Sequence, residues 1–127
     1  MKAVRCHNHE IHVHDVPAPS GEGVRVKVAA AGICGSDLHF WQGGVPVPFT
    51  LGHEISGITP DGRWVAIEPT VYCGHCERCV RGDYNLCVRG SDAVLGVGRD
   101  GGMSEEIIVP EHCLGPLPGG IAIFFFF

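Results

Sequence analysis

The sequence predicts a mainly β, barrel-like domain with short helices and long functional loops. Nineteen glycines and nine prolines among 127 residues interrupt the chain too often for long helices. Between these residues lie short runs in which apolar and polar side chains alternate, as they do in half-buried strands. A hydrophobic content of 45% fits a packed core, and a chain of this length is expected to build one domain.

The first predicted element is an early β-hairpin that carries alternating histidines. We expect these side chains to be exposed polar positions of the hairpin, with adventitious metal binding as the alternative. The histidines are His7, His9, His12 and His14.

Three strands and one helix follow from the local pattern. Apolar residues occupy every second position of residues 24–30 (VRVKVAA), and shorter β-like runs cover residues 64–67 and 106–109. Residues 36–41 form the best helix candidate. Cys6 and Cys113 have no metal-ligand spacing, so we expect both to be buried thiols.

Residues 96–101 (GVGRDG) match the dinucleotide-binding pattern G-x-G-x-x-G, but the context is wrong for that function. Such a motif must follow a strand, open a helix and precede an acidic residue by about 20 positions. Here it leads into MSEEIIVP, which predicts a strand that ends at Pro110. We therefore interpret the run as a glycine-rich turn.

Charge and hydropathy exclude several classes of function. A formal charge of −5 argues against nucleic-acid binding, which requires a basic surface. The opening residues MKAVRCHNHE lack the apolar core of a signal peptide, and we find no apolar run of about 18 residues that would span a membrane. Seven cysteines, an odd number, favour metal ligands in a reducing cytosol over a disulfide framework. We expect a cytoplasmic protein without membrane or nucleic-acid partners.

Four cysteines in the pattern C-x2-C-x2-C-x7-C predict a zinc site within residues 73–87. They are Cys73, Cys76, Cys79 and Cys87. Zn²⁺ takes four thiolates in a closed tetrahedral site, which leaves no position for a substrate, so this site is predicted to be structural. The alternatives are four unrelated thiols or a zinc ribbon that binds nucleic acid.

Three arginines lie beside the cysteine quartet, at Arg78, Arg81 and Arg89. Four thiolates on one Zn²⁺ leave a net charge of about −2. We expect the arginines to balance that charge.

A second metal site is predicted upstream, at Cys34 and His53. A thiolate and an imidazole together favour Zn²⁺ over the hard cations, which prefer oxygen ligands. Glu54 is either a further ligand or a group behind the metal, and Asp37 is placed to accept the second ring N–H of His53. The alternative is a buried cysteine near a hydrogen-bonded core histidine.

The motifs GICGSDLH (residues 32–39), LGHE (residues 51–54) and the cysteine quartet occur here in one order. As a set, they resemble the zinc-dependent medium-chain alcohol and polyol dehydrogenases. The resemblance covers residues 1–120 and implies a GroES-like β-barrel catalytic domain with a zinc-binding lobe at residues 73–87. It also implies two Zn²⁺ per chain, one catalytic and one structural.

In that family an alcohol is oxidised to a carbonyl by hydride transfer to NAD or NADP. The resemblance places the catalytic zinc on Cys34 and His53, with Glu54 adjacent. It makes Ser36 the hydroxyl that hydrogen-bonds the substrate alcohol, and His39 the outer end of a proton relay. A small alcohol or polyol is the implied substrate. The resemblance leaves the oligomeric state undecided between a monomer and a homo-oligomer. Phe40 and Trp41 either line the substrate pocket or belong to the core.

Past residue 120 the resemblance ends in an atypical apolar tail at residues 121–127 (IAIFFFF), which we interpret as a truncation point. The family's dinucleotide-binding domain would follow there, so we expect the fragment alone to be inactive. The alternative function is a stand-alone zinc-stabilised GroES-like β module that acts through protein contacts without catalysis.

Overall fold

The computed structural model describes residues 1–44 and 46–118. The predicted apolar tail at residues 121–127 lies outside the described residues. Within them, the chain forms nine strands and α-helices in the order β1 (Lys2–His7), β2 (Glu10–Asp15), β3 (Val24–Gly32), α1 (Gly35–Gly43), β4 (Glu54–Ile58), β5 (Trp64–Ile67), α2 (Glu77–Val80), β6 (Glu106–Val109) and β7 (Leu114–Pro116). Short 3₁₀ helices lie at Tyr84–Leu86, Gly90–Ala93 and Glu111–Cys113.

The strands form two antiparallel groups. β1 and β2 make a separate hairpin, and the other five make a sheet in the order β6-β3-β4-β5-β7 that curls into a half-barrel. The mainly β, barrel-like prediction is therefore confirmed. In the part of the chain that the structure describes, no helix has the length and apolar character to cross a membrane.

Most of the predicted elements are present, with small shifts at their ends. β5 and β6 have the predicted bounds, β3 extends two residues further to Gly32, and α1 is one residue longer at its start and two at its end. All four histidines of the early hairpin are exposed. Cys6 and Cys113 are fully buried, as predicted.

β4 and β7 were not predicted because neither shows an alternating pattern. The central residues of β4 are buried on both faces of the strand, so Ser56 and Gly57 interrupt the apolar run without marking a surface. A side chain at Gly57 would overlap the Val26 side chain and the Lys27 carbonyl, which shows how closely β3 and β4 approach.

Two clusters of buried apolar residues hold these elements together. The larger cluster lies inside the half-barrel and consists of Val26, Ile55, Val65, Ile67, Val71, Leu95, Ile107, Val109 and Cys113. The smaller cluster lies between the hairpin and α1 and consists of Cys6, Val47 and Leu51, with Val4, Phe40, Phe49 and Met103 packed against it. Each fully buried aliphatic side chain contributes about 1.5–3 kcal/mol relative to exposure.

The residues before β4 are held by backbone hydrogen bonds from a distant glycine-rich loop (residues 96–103). The Gly101, Met103 and Gly102 amides donate to the carbonyls of Thr50, Leu51 and Gly52, respectively, over 2.8–2.9 Å. The Thr50 amide in turn donates to the Asp100 carboxylate over 2.8 Å. This loop, which contains the turn predicted at residues 96–101, therefore fixes the path of the chain that leads into His53.

Candidate metal centres

The cysteine quartet forms a compact group of sulfur atoms. The four Sγ atoms all lie within 4.8 Å of one another, and none of the four cysteines is in a disulfide. Cys79 Sγ lies 3.9 Å from Cys73 Sγ and 3.4 Å from Cys76 Sγ. Tetrahedral zinc with Zn–S bonds of about 2.3 Å separates its sulfurs by about 3.8 Å. The spacing therefore fits a zinc ion and is much too long for a disulfide.

Backbone amides turn toward these sulfurs, as the turns of a zinc knuckle require. The amide of Cys73 lies 3.4 Å from Cys87 Sγ, and the amide of Cys76 lies 3.3 Å from Cys73 Sγ. The amides of Val88 and Cys79 lower the pKa of the Cys76 thiol to about 6. Such N–H donors favour the thiolate form, which is the form that binds a metal.

The rest of the lobe has few buried side chains. Cys87 is buried, but Val80 and Val88 are each 73% exposed. Arg81 is paired with Glu77 and Asp83, at 3.4 and 3.2 Å. These exposed ion pairs contribute little to stability. Because the lobe has no packed core of its own, we expect its structure to depend on a bound metal.

Three aromatic rings join the lobe to the barrel. The Tyr72 ring stacks on Tyr84 with centroids 4.9 Å apart, and its centroid lies 4.1 Å from that of His112. Tyr84 lies between the third and fourth cysteines, whereas His112 lies on the 3₁₀ helix before β7. The stack therefore spans the boundary between lobe and barrel.

The second centre forms where two neighbouring strands meet the loops at one end of the sheet. Gly32, the last residue of β3, pairs with Glu54, the first residue of β4. Cys34 follows β3 as the residue that precedes α1, and His53 immediately precedes β4. The antiparallel pairing thus brings Cys34, His53 and Glu54 together, with their ligand atoms within 4.8 Å of one another.

A side chain in the first turn of α1 holds the backbone of this centre in place. Asp37 is 3% exposed, and its Oδ2 accepts the Cys34 backbone N–H over 2.8 Å. A carboxylate in the first turn also interacts favourably with the helix dipole. Asp37 therefore fixes the backbone that carries the Cys34 thiol.

The imidazole of His53 faces Ser36. Ser36 Oγ lies 3.2 Å from His53 Nε2, within hydrogen-bond distance. His53 Nδ1 and Asp37 Oδ1 are both buried, and neither has a hydrogen-bond partner in the described residues. The hydrogen bond predicted between Asp37 and His53 is thus not formed in the structure, where the partner of Asp37 is the Cys34 amide.

Buried polar atoms without partners are costly, so a group that bonds to them would stabilise this centre. A thiolate, an imidazole and a carboxylate are a donor set that suits Zn²⁺. The residues of this centre therefore fit the predicted metal, as those of the quartet do.

Other predicted site residues have simpler surroundings. His39 is exposed, one helical turn after Ser36. Phe40 packs against the smaller core cluster, which favours the core alternative for this residue. Trp41 is 41% exposed, and its indole N–H is bonded to the hairpin. Neither aromatic side chain lines the apolar groove of about 580 Å³ that runs beside α1 and is bordered by Ile33, Asp37, Leu38 and Met103.

The sequence interpretation missed the support that the glycine-rich loop gives to His53. Gly52 has a left-handed φ of 95°, and a side chain at Gly101 would overlap the carbonyls of Leu51 and Gly52. The run DGG at residues 100–102 was the available signal, since adjacent glycines permit close approach of two backbones. Its partner could not be identified without the fold.

Comparison with known proteins agrees with this arrangement. Residues 20–119 match the family model described as the alcohol dehydrogenase GroES-like domain. The chain is 41% identical over 121 residues to the starvation-sensing protein RspB of Escherichia coli K12, a match that covers 85% of this chain and 35% of the relative. It is 43% identical over 106 residues to sorbitol dehydrogenase of Bacillus subtilis, which covers 68% and 30%.

A solved structure shares the fold closely. The RspB alcohol dehydrogenase of E. coli CFT073, in complex with NADH, superposes with a TM-score of 0.79 at 39% identity, covering 96% of this chain and 40% of that one. The chain spans about a third of the length of the curated relatives that it matches. It belongs to the zinc-dependent medium-chain alcohol and polyol dehydrogenase family, in which it corresponds to the GroES-like domain.

Proposed function

We propose that this chain supplies the metal-binding catalytic domain of a dehydrogenase that oxidises an alcohol or polyol to an aldehyde or ketone. The observation that carries the proposal is the convergence of Cys34, His53 and Glu54 within 4.8 Å, with Ser36 against the imidazole. A dinucleotide-binding domain would complete the enzyme, in keeping with the longer chain and the bound NADH of the similar E. coli dehydrogenase.

Cys34, His53 and Glu54 would hold a catalytic Zn²⁺. Three protein ligands leave a coordination position open, which distinguishes a catalytic zinc site from a structural one. When bound, Zn²⁺ supplies Lewis acidity that lowers the pKa of an alcohol, and NAD or NADP accepts the hydride. The protein's own contribution is to fix the ligands, through Asp37 for Cys34 and through the glycine-rich loop for His53.

Ser36 and His39 would move the proton that the alcohol loses. Ser36 Oγ is beside the imidazole of His53, so a substrate hydroxyl in this centre is within reach of the serine hydroxyl. His39 lies one helical turn further along α1 and is exposed, so it can exchange protons with solvent. The two residues thus provide an inner and an outer position for proton transfer.

The quartet would hold a second, structural Zn²⁺. Its four thiols close the coordination shell, so this ion organises the lobe and takes no part in the reaction. Two zinc ions per chain is therefore the proposed content, and seven free thiols fit a reducing cytosol.

The substrate class is proposed from the relatives. Two of them are named sorbitol dehydrogenase, and four others are named D-xylulose reductase A or probable D-xylulose reductase A. These names refer to a polyol and to a keto sugar. We infer a polyol or secondary alcohol for this chain.

The test is the zinc content of the purified chain and of two variants, measured by elemental analysis. We expect two zinc ions in the wild type and one in Cys34→Ser, because the substitution removes the thiolate of the open site. Cys6→Ala is the matched control, since Cys6 is a buried thiol outside both centres, and should keep two.

One zinc in the wild type, unchanged in Cys34→Ser, would contradict the catalytic centre. That result would favour the alternative of a zinc-stabilised module that acts through protein contacts. Two zinc ions in Cys34→Ser would instead show that the second ion lies elsewhere on the chain.

A further inference from the structure

Helix α1 carries Ser36, Asp37 and His39, yet little packing holds it in place. It has nine residues, and Asp37 is the one residue of the helix that is fully buried. Leu38 and Trp41 are 43% and 41% exposed. A helix of this length is marginal by itself and usually gains stability by burying an apolar face. Besides the Phe40 side chain, which packs against the smaller core cluster, hydrogen bonds at its two ends hold α1 in position.

The beginning of the helix is held within the centre itself. Asp37 bonds to the Cys34 amide over 2.8 Å, and Ser36 contacts His53. These contacts tie the first turn of α1 to the metal ligands. Any displacement of the helix would therefore move Cys34 and Ser36 relative to His53.

The end of the helix is held by the tip of the β1–β2 hairpin through two reciprocal hydrogen bonds. The Trp41 indole N–H donates to the His9 carbonyl over 2.6 Å. His9 Nδ1 lies 3.0 Å from the Trp41 carbonyl, and since a carbonyl only accepts, this nitrogen carries the hydrogen. We call this pair of bonds the His9–Trp41 clasp.

The local backbone is shaped for this contact. Asn8 and His9 both have left-handed φ values, 48° and 63°, as the central residues of a tight hairpin turn do. Gly44 ends the helix with a φ of 62°, and a side chain there would collide with the His9 ring. Asparagine and histidine are both among the residue types that adopt this conformation most readily. The turn therefore presents the His9 ring to the end of the helix without an unusual backbone.

We propose that the His9–Trp41 clasp positions α1 so that Cys34 and Ser36 are correctly placed against His53. His9 and Trp41 are positioning residues, because neither is among the candidate ligands. This inference rests on the proposed function, since it assigns the clasp to the metal centre named there.

The test is a Co²⁺ titration of the zinc-free chain, followed by thiolate-to-cobalt absorption. Cys34→Ser and Cys76→Ser assign the absorption of each centre. Trp41→Phe removes the indole donor and keeps an aromatic ring. Trp64→Phe is the matched control, because Trp64 is also 41% exposed but lies on β5, and its indole is not part of the clasp.

We expect Trp41→Phe to weaken Co²⁺ binding at the Cys34 centre about fivefold, as loss of one hydrogen bond would. Co²⁺ binding at the quartet, and both affinities in Trp64→Phe, should stay at the wild-type values. His9→Asn places an amide donor near the position of Nδ1 and should retain wild-type affinity. His9→Gln moves the donor further out and should behave like Trp41→Phe.

Equal Co²⁺ affinities at the Cys34 centre in the wild type, Trp41→Phe and His9→Gln would overturn the proposed role of the clasp. The proposal of a metal centre would remain. A wild-type chain that binds no Co²⁺ through Cys34 would overturn the proposed function and the clasp together. A further outcome is that Trp41→Phe also weakens Co²⁺ binding at the quartet or lowers the helical circular dichroism signal. In that case, the comparison of His9→Asn with His9→Gln would decide whether the clasp positions α1. Indistinguishable behaviour of that pair would then count against positioning.

Discussion

The two candidate metal centres are built in opposite ways. The quartet takes all four ligands from the 15 residues of 73–87, with few buried side chains around it. The Cys34 centre takes its ligands from the ends of two strands, and residues from the hairpin and the glycine-rich loop support it. The lobe is thus built from one short segment, and we expect it to depend on a bound metal. The Cys34 centre instead depends on contacts between segments that are far apart in the chain.

Breaking the quartet should have the largest effect. We expect Cys76→Ser to lower zinc affinity at the lobe by more than about a thousandfold, because structural zinc supplies about 10–16 kcal/mol of apparent binding energy and one thiolate of four is lost. The remaining lobe thiols should then react with a thiol reagent under native conditions. Co²⁺ bound through Cys34 should be unaffected. Lobe thiols that stay protected after the substitution, or after chelation of the wild type, would show that metal does not organise the lobe.

Removing core packing should affect the barrel more than any lobe surface change. Leu95 is 2% exposed and belongs to the larger core cluster. Leu95→Ala should lower the free energy of unfolding by about 3 kcal/mol through lost burial and the cavity that remains. Urea unfolding measures this loss. Val80→Ala, at a 73% exposed position of α2, is the control and should change stability by less than about 0.5 kcal/mol. Similar losses in both variants would contradict the contrast between core and lobe.

The smallest effect is expected at the boundary between the two regions. Tyr72→Leu removes the middle ring of the stack with Tyr84 and His112 and should lower the free energy of unfolding by about 1 kcal/mol. Tyr72→Phe keeps the ring and should stay near the wild type. Urea unfolding of the zinc-bound chain compares the two variants. Equal losses in both would mean that the tyrosine hydroxyl, and not the stacking, matters.

The contrast also explains how much the sequence could predict. The quartet could be predicted from the sequence because its spacing alone brings four sulfurs together. The structure places these sulfurs within 4.8 Å of one another. Cys34, His53 and Glu54 could be nominated by residue type, but their meeting depends on the pairing of Gly32 with Glu54. β4, the strand that creates this pairing, has no alternating pattern because both of its faces are buried.

The unpredicted features are contacts between segments far apart in the chain. The hydrogen bonds from residues 101–103 to residues 50–52 join two loops. The sequence of neither loop indicates that it contacts the other. The same is true of the His9–Trp41 clasp, which depends on the turn conformation of one segment and the end of a helix in another. Asp37 was recognised as a supporting residue, but its observed partner is the Cys34 amide and not the His53 ring.

The bonds between the glycine-rich loop and residues 50–52 have a consequence for assembly during translation. A nascent chain emerges from its N-terminal end, so the ligands of the upstream centre leave the ribosome before those of the lobe. Yet the loop that fixes His53 is complete only at Met103, whereas the quartet is complete at Cys87. We therefore expect the downstream lobe to capture its metal first and the upstream centre to mature last, in the reverse of their order along the chain.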